Sequence, residues 1–300
     1  MLARPSLALA GLTCLALGWT APAFAACEGY VPEPKPQNAS RDIVGQDLDT
    51  IQAQGFITFA AYENFPPWSY AENNQPTGVD IEIGRLIAES LGVEARFDLV
   101  PAGETVEADL RNWIWQGPPT GGSVDNVMLH VPYDVNFACR VDQVVFNGQY
   151  AKETIAIAYN KTDYPDSPPV PAYFRYDTVG VENDTIADFY LAGIGNGMLI
   201  PKMKHYPTVA AAMLAMAAGD VMAVMGPRAQ LQAGLTADGD VHQPPLPGLA
   251  VGTWTVGLAV HTRYRYLGYA VDDAIRAALD DGRIAEIFAS HGLSYDAPQR

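Results

Sequence analysis

Residues 56–91 read FITFAAYENFPPWSYAENNQPTGVDIEIGRLIAESL, and this stretch decides the architecture. Phe56 to Ala61 is a short run of apolar and β-prone residues bounded by turn formers, which predicts a strand. Tyr62 to Thr77 is crowded with Asn and Pro and predicts a turn-rich loop. Beyond Gly78 and Val79, residues Ile81, Ile83, Leu86, Ile87 and Leu91 recur at the spacing of an amphipathic helix. Asp80 falls in the N-cap region of that helix and Gly92 at its end. Strand, loop and helix make one βα unit.

Working outward, a short helix starts at Leu48 and a strand runs from Val93 to Val100. Glu104 to Trp115 predicts a helix, broken by the Gly/Pro-rich stretch 117–122, and Asn126 to His130 a short buried strand. Trp113 and Trp115, two positions apart, are expected to be one core residue and one half-buried. Thr154 to Tyr159 is a further strand before a Pro-rich bend at 165–171. A second βα series follows. It comprises a strand at 178–181, a helix from Thr185 to Leu191, Met198 to Ile200, a helix with Val209, Met213, Leu214 and Met216, and a strand at 221–225. Thr255 to Val260 is the last strand, ahead of helices at 264–280 and 283–290. Strands alternating with helices predict an α/β protein with largely parallel sheets, arranged in two comparable halves.

Charge narrows the function. Eighteen Lys and Arg stand against 34 Asp and Glu, a formal net charge of −16. Such a chain is a poor partner for nucleic acid and for anionic lipid surfaces, both of which attract basic patches. With 49% hydrophobic and 17% charged residues it can bury a sizeable core, which excludes global disorder. Arg4, the apolar run Leu7 to Trp19 and Ala23-Phe24-Ala25 predict a secretory signal over 1–25, too short for a membrane span. Residues 26–44, with Pro32, Pro34 and Pro36, read as an extended tether. The expected location is the periplasm, with no membrane span later in the chain. Cys14 leaves with the signal, and Cys27 and Cys139 are then expected to form a disulfide in an oxidising compartment. Closing a loop of that length constrains the unfolded chain by about 4–5 kcal/mol. The alternative is lipid attachment at Cys27 within Phe24-Ala25-Ala26-Cys27. No zinc-type cysteine spacing and no paired-histidine helix motif occurs, so no metal and no cofactor is expected.

Six segments in order resemble family-3 periplasmic solute-binding proteins, the amino-acid-binding branch of the type II fold. Phe65-Pro66-Pro67-Trp68-Ser69-Tyr70 is similar to that family's aromatic loop after the first strand, and Gly78-Val79-Asp80-Ile81-Glu82-Ile83 to its helix entry. Arg140, Phe146 and Tyr150 keep its R-x5-F-x3-Y spacing. Val179-Gly180-Val181 with Thr185, Gly219 to Val224, and Asp281 to Ile287 resemble its second-lobe start, a later strand and its C-terminal helix.

The resemblance implies two lobes, each a mostly parallel sheet flanked by helices, joined by two crossing hinge segments. Lobe 1 would be 45–156 with 254–300, and lobe 2 157–253. It implies a monomeric, non-enzymatic substrate-binding protein of an ABC-type transport system, partnered by a permease, that traps a small organic solute by hinge closure. By the same resemblance Arg140 would clamp an anionic group of the solute, Phe65 and Trp68 would pack on its body, His130 and Asp134 would be polar cleft groups, and Thr185 would stand at an anion-receiving helix N-terminus.

Departures from the family pattern argue against an ordinary α-amino-acid ligand. Val135 and Phe137 stand where hydroxyl residues assist the family's Arg, and Gly226-Pro227 stands where an Asp takes the ligand ammonium. Burying an ammonium without that carboxylate would cost several kcal/mol, by the order-of-magnitude penalty for an unpaired buried charge. Val127 to Tyr133 and Val224 to Pro227 resemble segments of MxaJ-type proteins, which implies an alternative. That alternative is an accessory protein whose partner is a periplasmic PQQ-dependent alcohol or methanol dehydrogenase, a quinoprotein, or its cytochrome. A third reading is a cyclohexadienyl dehydratase-like enzyme, for which Asp134 and Glu182 are the candidate acids.

Overall fold

The computed structural model describes residues 45–298, so the expected signal, tether and Cys27 lie outside the described residues. The chain begins with α1 (Leu48–Gln54) and β1 (Phe56–Tyr62), then a small hairpin of β2 (Tyr70–Glu72) and β3 (Gln75–Thr77). There follow α2 (Val79–Leu91), β4 (Glu94–Val100), α3 (Val106–Leu110) with a π turn over Arg111–Trp115, β5 (Val127–Tyr133), α4 (Val135–Arg140) and β6 (Val144–Asn160). The second series is β7 (Val179–Glu182), α5 (Ile186–Gly193), β8 (Met203–Tyr206), α6 (Val209–Ala217), β9 (Ala223–Pro227), α7 (Arg228–Ala233) and β10 (Gly239–His242). The chain then returns through β11 (Thr253–His261), α8 (Arg265–Asp280) and α9 (Arg283–Ser290).

The strands lie in the order β4-β1-β5-β11-β6-β9-β7-β8, with β10 on β6. Parallel pairs form the two outer parts, β1 with β4 and β5, and β7 with β8 and β9. Through the middle the pairing is antiparallel, because β6 runs out of one half and β11 runs back. From Val144 to Thr154, β6 pairs with β11; from Ile155 to Tyr159 it pairs with β9. The return crossing lies directly beside the outward one, since Gly252 O accepts from Ile155 N at 2.9 Å and from Thr154 Oγ1 at 3.0 Å. Each half has its own apolar packing. Phe59, Ile81, Ile87, Leu258 and Ile275 are fully or almost fully buried in the first, and Ile157, Phe174, Val181 and Leu191 are fully buried in the second.

Several elements depart from the sequence reading. The helix expected over 104–115 is split into α3 and the π turn. Met198 to Ile200 is no strand, since Pro201 holds a 3-10 turn over Ile200–Lys202 and pairing with β7 starts at Met203. β6 begins ten residues before the predicted strand, α4 and α7 are six residues each, and β10 is four. Trp115 is buried and Trp113 is partly covered against the same cluster.

Asp125 is buried just before β5 and lies beside Asp98. Burial, then the neighbouring Asp98 charge, pushes its carboxyl up to about 7, against an opposing hydrogen bond from Thr58. An acid whose pKa is higher folded than unfolded favours the folded state at low pH, and that advantage is lost as pH rises from about 4 through about 7. Asp125→Asn is therefore expected to be more stable than the parent at pH 8, by about 1–4 kcal/mol in urea denaturation, with the gap closing as pH falls to 4.

Candidate functional site

The Phe65–Ser69 loop closes on itself before it reaches anything else. Phe65 N donates to Ser69 O (2.8 Å), Trp68 N and Ser69 N donate to Phe65 O (2.9 and 3.0 Å), and Ser69 Oγ donates to Tyr62 O (2.6 Å). The Pro66–Pro67 bond is cis. The outward carbonyls then receive the free N–H groups of α2, Val79 N donating to Pro67 O at 3.0 Å and Asp80 N to Trp68 O at 2.9 Å. This approach is so close that a Cβ on Gly78 would sit 2.3 Å from Trp68 O, and Gly78 has φ 115°. Only glycine fits that combination.

The helix start is thus satisfied by main chain, and the expected role of Asp80 as an N-cap is corrected. The N-cap is Gly78, with no side-chain cap, and Asp80 is fully buried. Its Oδ1 accepts from Tyr150 Oη at 2.5 Å and its Oδ2 lies 3.1 Å from His130 Nδ1. The carboxylate calls for a proton on Nδ1, which sets the imidazole tautomer. Burial, then the Asp80 charge, drives the Tyr150 hydroxyl well above its ordinary range, so it stays a donor.

His130 adopts a left-handed conformation (φ 56°) at the middle residue of β5. Trp68 packs on it with ring centres 4.5 Å apart, and Phe65 meets it edge-on at 5.0 Å. Of these two aromatic residues Trp68 is 2% exposed and belongs to the core against Phe288, while Phe65 is partly accessible. A second buried acid, Glu153, stands on β6 where the strand leaves the first half. Burial raises its pKa; the N–H groups of Thr154 (2.8 Å) and Ala229 (3.3 Å), and the nearby charges of Arg228 and His130, oppose that rise.

The structure therefore brings Phe65, Trp68 and His130 together around Asp80 and Tyr150. The remaining candidates lie elsewhere. Asp134 is exposed and caps α4, its Oδ1 accepting from Phe137 N at 2.9 Å. Arg140 is the exposed last residue of that helix, with its guanidinium carbon 5.7 Å from the centre of the Phe137 ring. Thr185 caps α5 in the second half, donating to Glu182 O at 2.8 Å and accepting from Asp188 N at 3.4 Å. Glu182 in turn accepts from Val209 N at the start of α6 (3.1 Å).

Pro66, at the tip of the aromatic loop, reaches the second half. It lines a pocket of about 280 Å³ with Met213, Leu214 and Ala217 of α6 and Gln230 and Ala233 of α7. Among the described residues no group of three or more His, Cys, Asp or Glu side chains converges on a metal-sized site, and no helix is long and apolar enough to cross a membrane.

The family model for bacterial extracellular solute-binding proteins, family 3, matches residues 57–112, which is the strand, aromatic loop and helix just described. No curated protein sequence matches the chain. Among solved structures, an ancestral cationic amino acid solute-binding protein shares 19% identity and a TM-score of 0.65 over 82% of this chain and 99% of its own. An amino acid ABC transporter substrate-binding protein from Streptococcus pneumoniae, bound to L-arginine, shares 15% identity and a TM-score of 0.58 over 84% and 100%. An ancestral amino-acid-binding protein described as a precursor of cyclohexadienyl dehydratase shares 19% identity and a TM-score of 0.56 over 82% and 98%. These likenesses show the fold, that of the type II periplasmic binding proteins.

Tyr150→Phe removes one of the two donors to a carboxylate that water does not reach. The variant is expected to lose about 1–3 kcal/mol of stability in urea denaturation. Combined with Asp80→Asn it should lose less than the two single losses added, because both changes act on one bond.

Proposed function

We propose that this chain is a periplasmic solute-binding protein of an ABC-type transport system, capturing a small organic solute between two lobes by hinge closure. The lobes are 45–156 with 254–300, and 157–253. One observation carries this reading. The two sheet halves are joined where β6 changes partner between Thr154 and Ile155, and β11 returns beside it from Gly252. Two adjacent crossings between two separately packed bodies permit rotation about one axis while forbidding free separation. A solute held by both bodies then shifts the balance toward the closed form by its tighter binding there. The family match over 57–112 and the solute-binding proteins among the structural neighbours support the same role.

For the solute, the proposal assigns Arg140 to an anionic group, Phe65 to the body, with Trp68 and His130 backing it, and Asp134 and Thr185 to polar contacts. Neighbours named for arginine or cationic amino acids do not fix the ligand here. Gly226 and Pro227 end β9 without a carboxylate, and the Arg228 that follows is itself ion-paired to Asp296. The reading is non-enzymatic. A dehydratase would need a cleft acid with a proton to give; Asp134 is exposed and caps α4, and Glu182, whose pKa burial raises against the Val209 N–H, spends one oxygen at the start of α6. Cys27 is proposed as the partner of Cys139. Intact mass of the exported protein should then rise by two hydrogens on reduction, whereas lipid on Cys27 would add an acyl-bearing mass instead.

The test is a thermal-shift panel of small organic acids, amino acids and amines on the purified full-length chain. A true ligand at 100 times its Kd is expected to stabilise by about 2.7 kcal/mol. Arg140→Ala should weaken that ligand about tenfold or more, on the order of a charge-assisted hydrogen bond, without changing the Tm of the free protein. A flat response across the panel overturns the receptor reading.

A further inference from the structure

After α9 the chain runs across the molecule as a short strap, and both of its faces are engaged. On the side of the first half, Leu293 is buried, the Tyr295 ring lies 5.1 Å from that of Phe288, and Tyr295 Oη donates to Tyr150 O at 3.0 Å. Asp296 O accepts from Lys152 N at 2.9 Å, so the strap is fastened to the main chain of β6 just before the crossing point.

On the other side it grips α7 of the second half. Arg228 Nη1 donates to Asp296 Oδ2 at 2.7 Å, and Arg228 Nη2 donates to Ser294 O at 3.3 Å. Gln232, one turn along the same helix face, exchanges two bonds with Ser294. Its Nε2 donates to Ser294 Oγ (2.8 Å) and its Oε1 accepts from Ser294 N (3.0 Å). Glu153, from β6, adds a contact to the same helix through Ala229 N. The Arg228 side chain is only 11% exposed and that of Asp296 35%, so water screens their ion pair less than it would a surface pair.

We propose that the Ser294–Asp296 strap is a latch between the two halves, which holds α7 against β6 and favours the interlobe angle seen here. α7 follows β9 directly, and although its Ala229 is buried against the first half's apolar cluster it is carried by the second half, while the strap is rooted in the first. Rotation about the crossing point must either drag the strap away from Tyr150 and Lys152 or break its four bonds to Arg228 and Gln232. The latch thus makes one angle the resting state, and any solute that acts through hinge motion works against or with it. The inference assumes the two-body hinge but no solute, so its test is made on the free protein and fails separately from solute capture.

The experiment is a distance distribution between two spin labels, carried on non-cysteine side chains at the exposed positions Glu89 of α2 and Ala217 of α6. The full-length parent is expected to give one narrow distribution. Arg228→Asp should add a second population at a different distance, and Arg228→Asp/Asp296→Arg should restore the parent distribution by re-forming the ion pair with its charges exchanged. Asp296→Asn, which keeps the shape and drops the charge, should broaden the distribution and carries the test should Arg228→Asp fail to fold. An unchanged distribution in these variants, while the amides of Lys152 and Ser294 exchange faster with solvent, overturns the latch. So does a broadened distribution that the charge exchange leaves unrepaired.

Discussion

The backbone hydrogen bonds of β6 change partner between Thr154 and Ile155, and the rest of the molecule is arranged around that change. A strand must satisfy its N–H and C=O groups at every step. β6 does so by pairing first with β11 and then with β9 and β10, except at a bulge where Gly148 N donates to Asp272 Oδ1 instead. The antiparallel return through β11 follows, because the chain that left the first half by one strand comes back to it by another. The parallel βα units on either side can then pack as two bodies, each with its own apolar cluster. Thr154 and Gly252 join the two crossings side by side, and on the proposed reading the rotation axis passes there.

Next to that place the protein keeps charge where water does not reach. Asp80 and Glu153 are 0% and 2% exposed, and such groups persist only when they are well supplied with donors. Asp80 has Tyr150 and His130; Glu153 has two main-chain amides and the fields of Arg228 and His130. His130 therefore stands between two acids and beneath two aromatic rings, and its left-handed backbone is the local cost of aiming the ring inward. This cluster is built into the first half, and its polar atoms are largely occupied by one another. Its rings pack beneath the loop that carries Phe65 and Pro66.

Much of this was legible in residues 56–91. The spacing of Ile81, Ile83, Leu86 and Ile87 gave α2, and Gly92, in a left-handed conformation, ends it where expected. The family resemblance identified the loop that reaches the other half. What stayed hidden was the direction of Asp80. Asp two residues after Gly reads as a cap, since nothing local says that the loop's own carbonyls have already taken the helix N–H groups. Tyr150 was visible only as the last position of a spacing motif, and its partner is 70 residues away. Glu153 carried a weak signal, an acid set among the apolar residues of a strand. The first part of β6 escaped because Asn147, Gly148 and Gln149 interrupt its apolar pattern, and the pairing with β11 shifts register there, between Asn147 opposite Leu258 and Ala151 opposite Val256. Asp134, Arg140 and Thr185 were legible as residues at helix ends, but the partners they meet are a property of the tertiary fold.

The same distinction explains why the two halves can be stiff separately and still be coupled. Contacts within a half are apolar and numerous, and they give no freedom to move without creating voids. Away from the crossing strands, Ala229 of α7 is buried in the first half's apolar cluster, and contacts of two other kinds also join the halves. Pro66 abuts α6 and α7 across a pocket with an apolar wall, a contact without directional bonds. Ser294 and Asp296 meet α7 through hydrogen bonds and an ion pair, which hold one geometry and fail over a displacement of about an ångström or two. A sliding contact on one side and a directional one on the other define a preferred angle without locking it. On the proposed reading, closing around a guest needs that combination, because the energy separating the two arrangements must stay within reach of what binding one small molecule can supply.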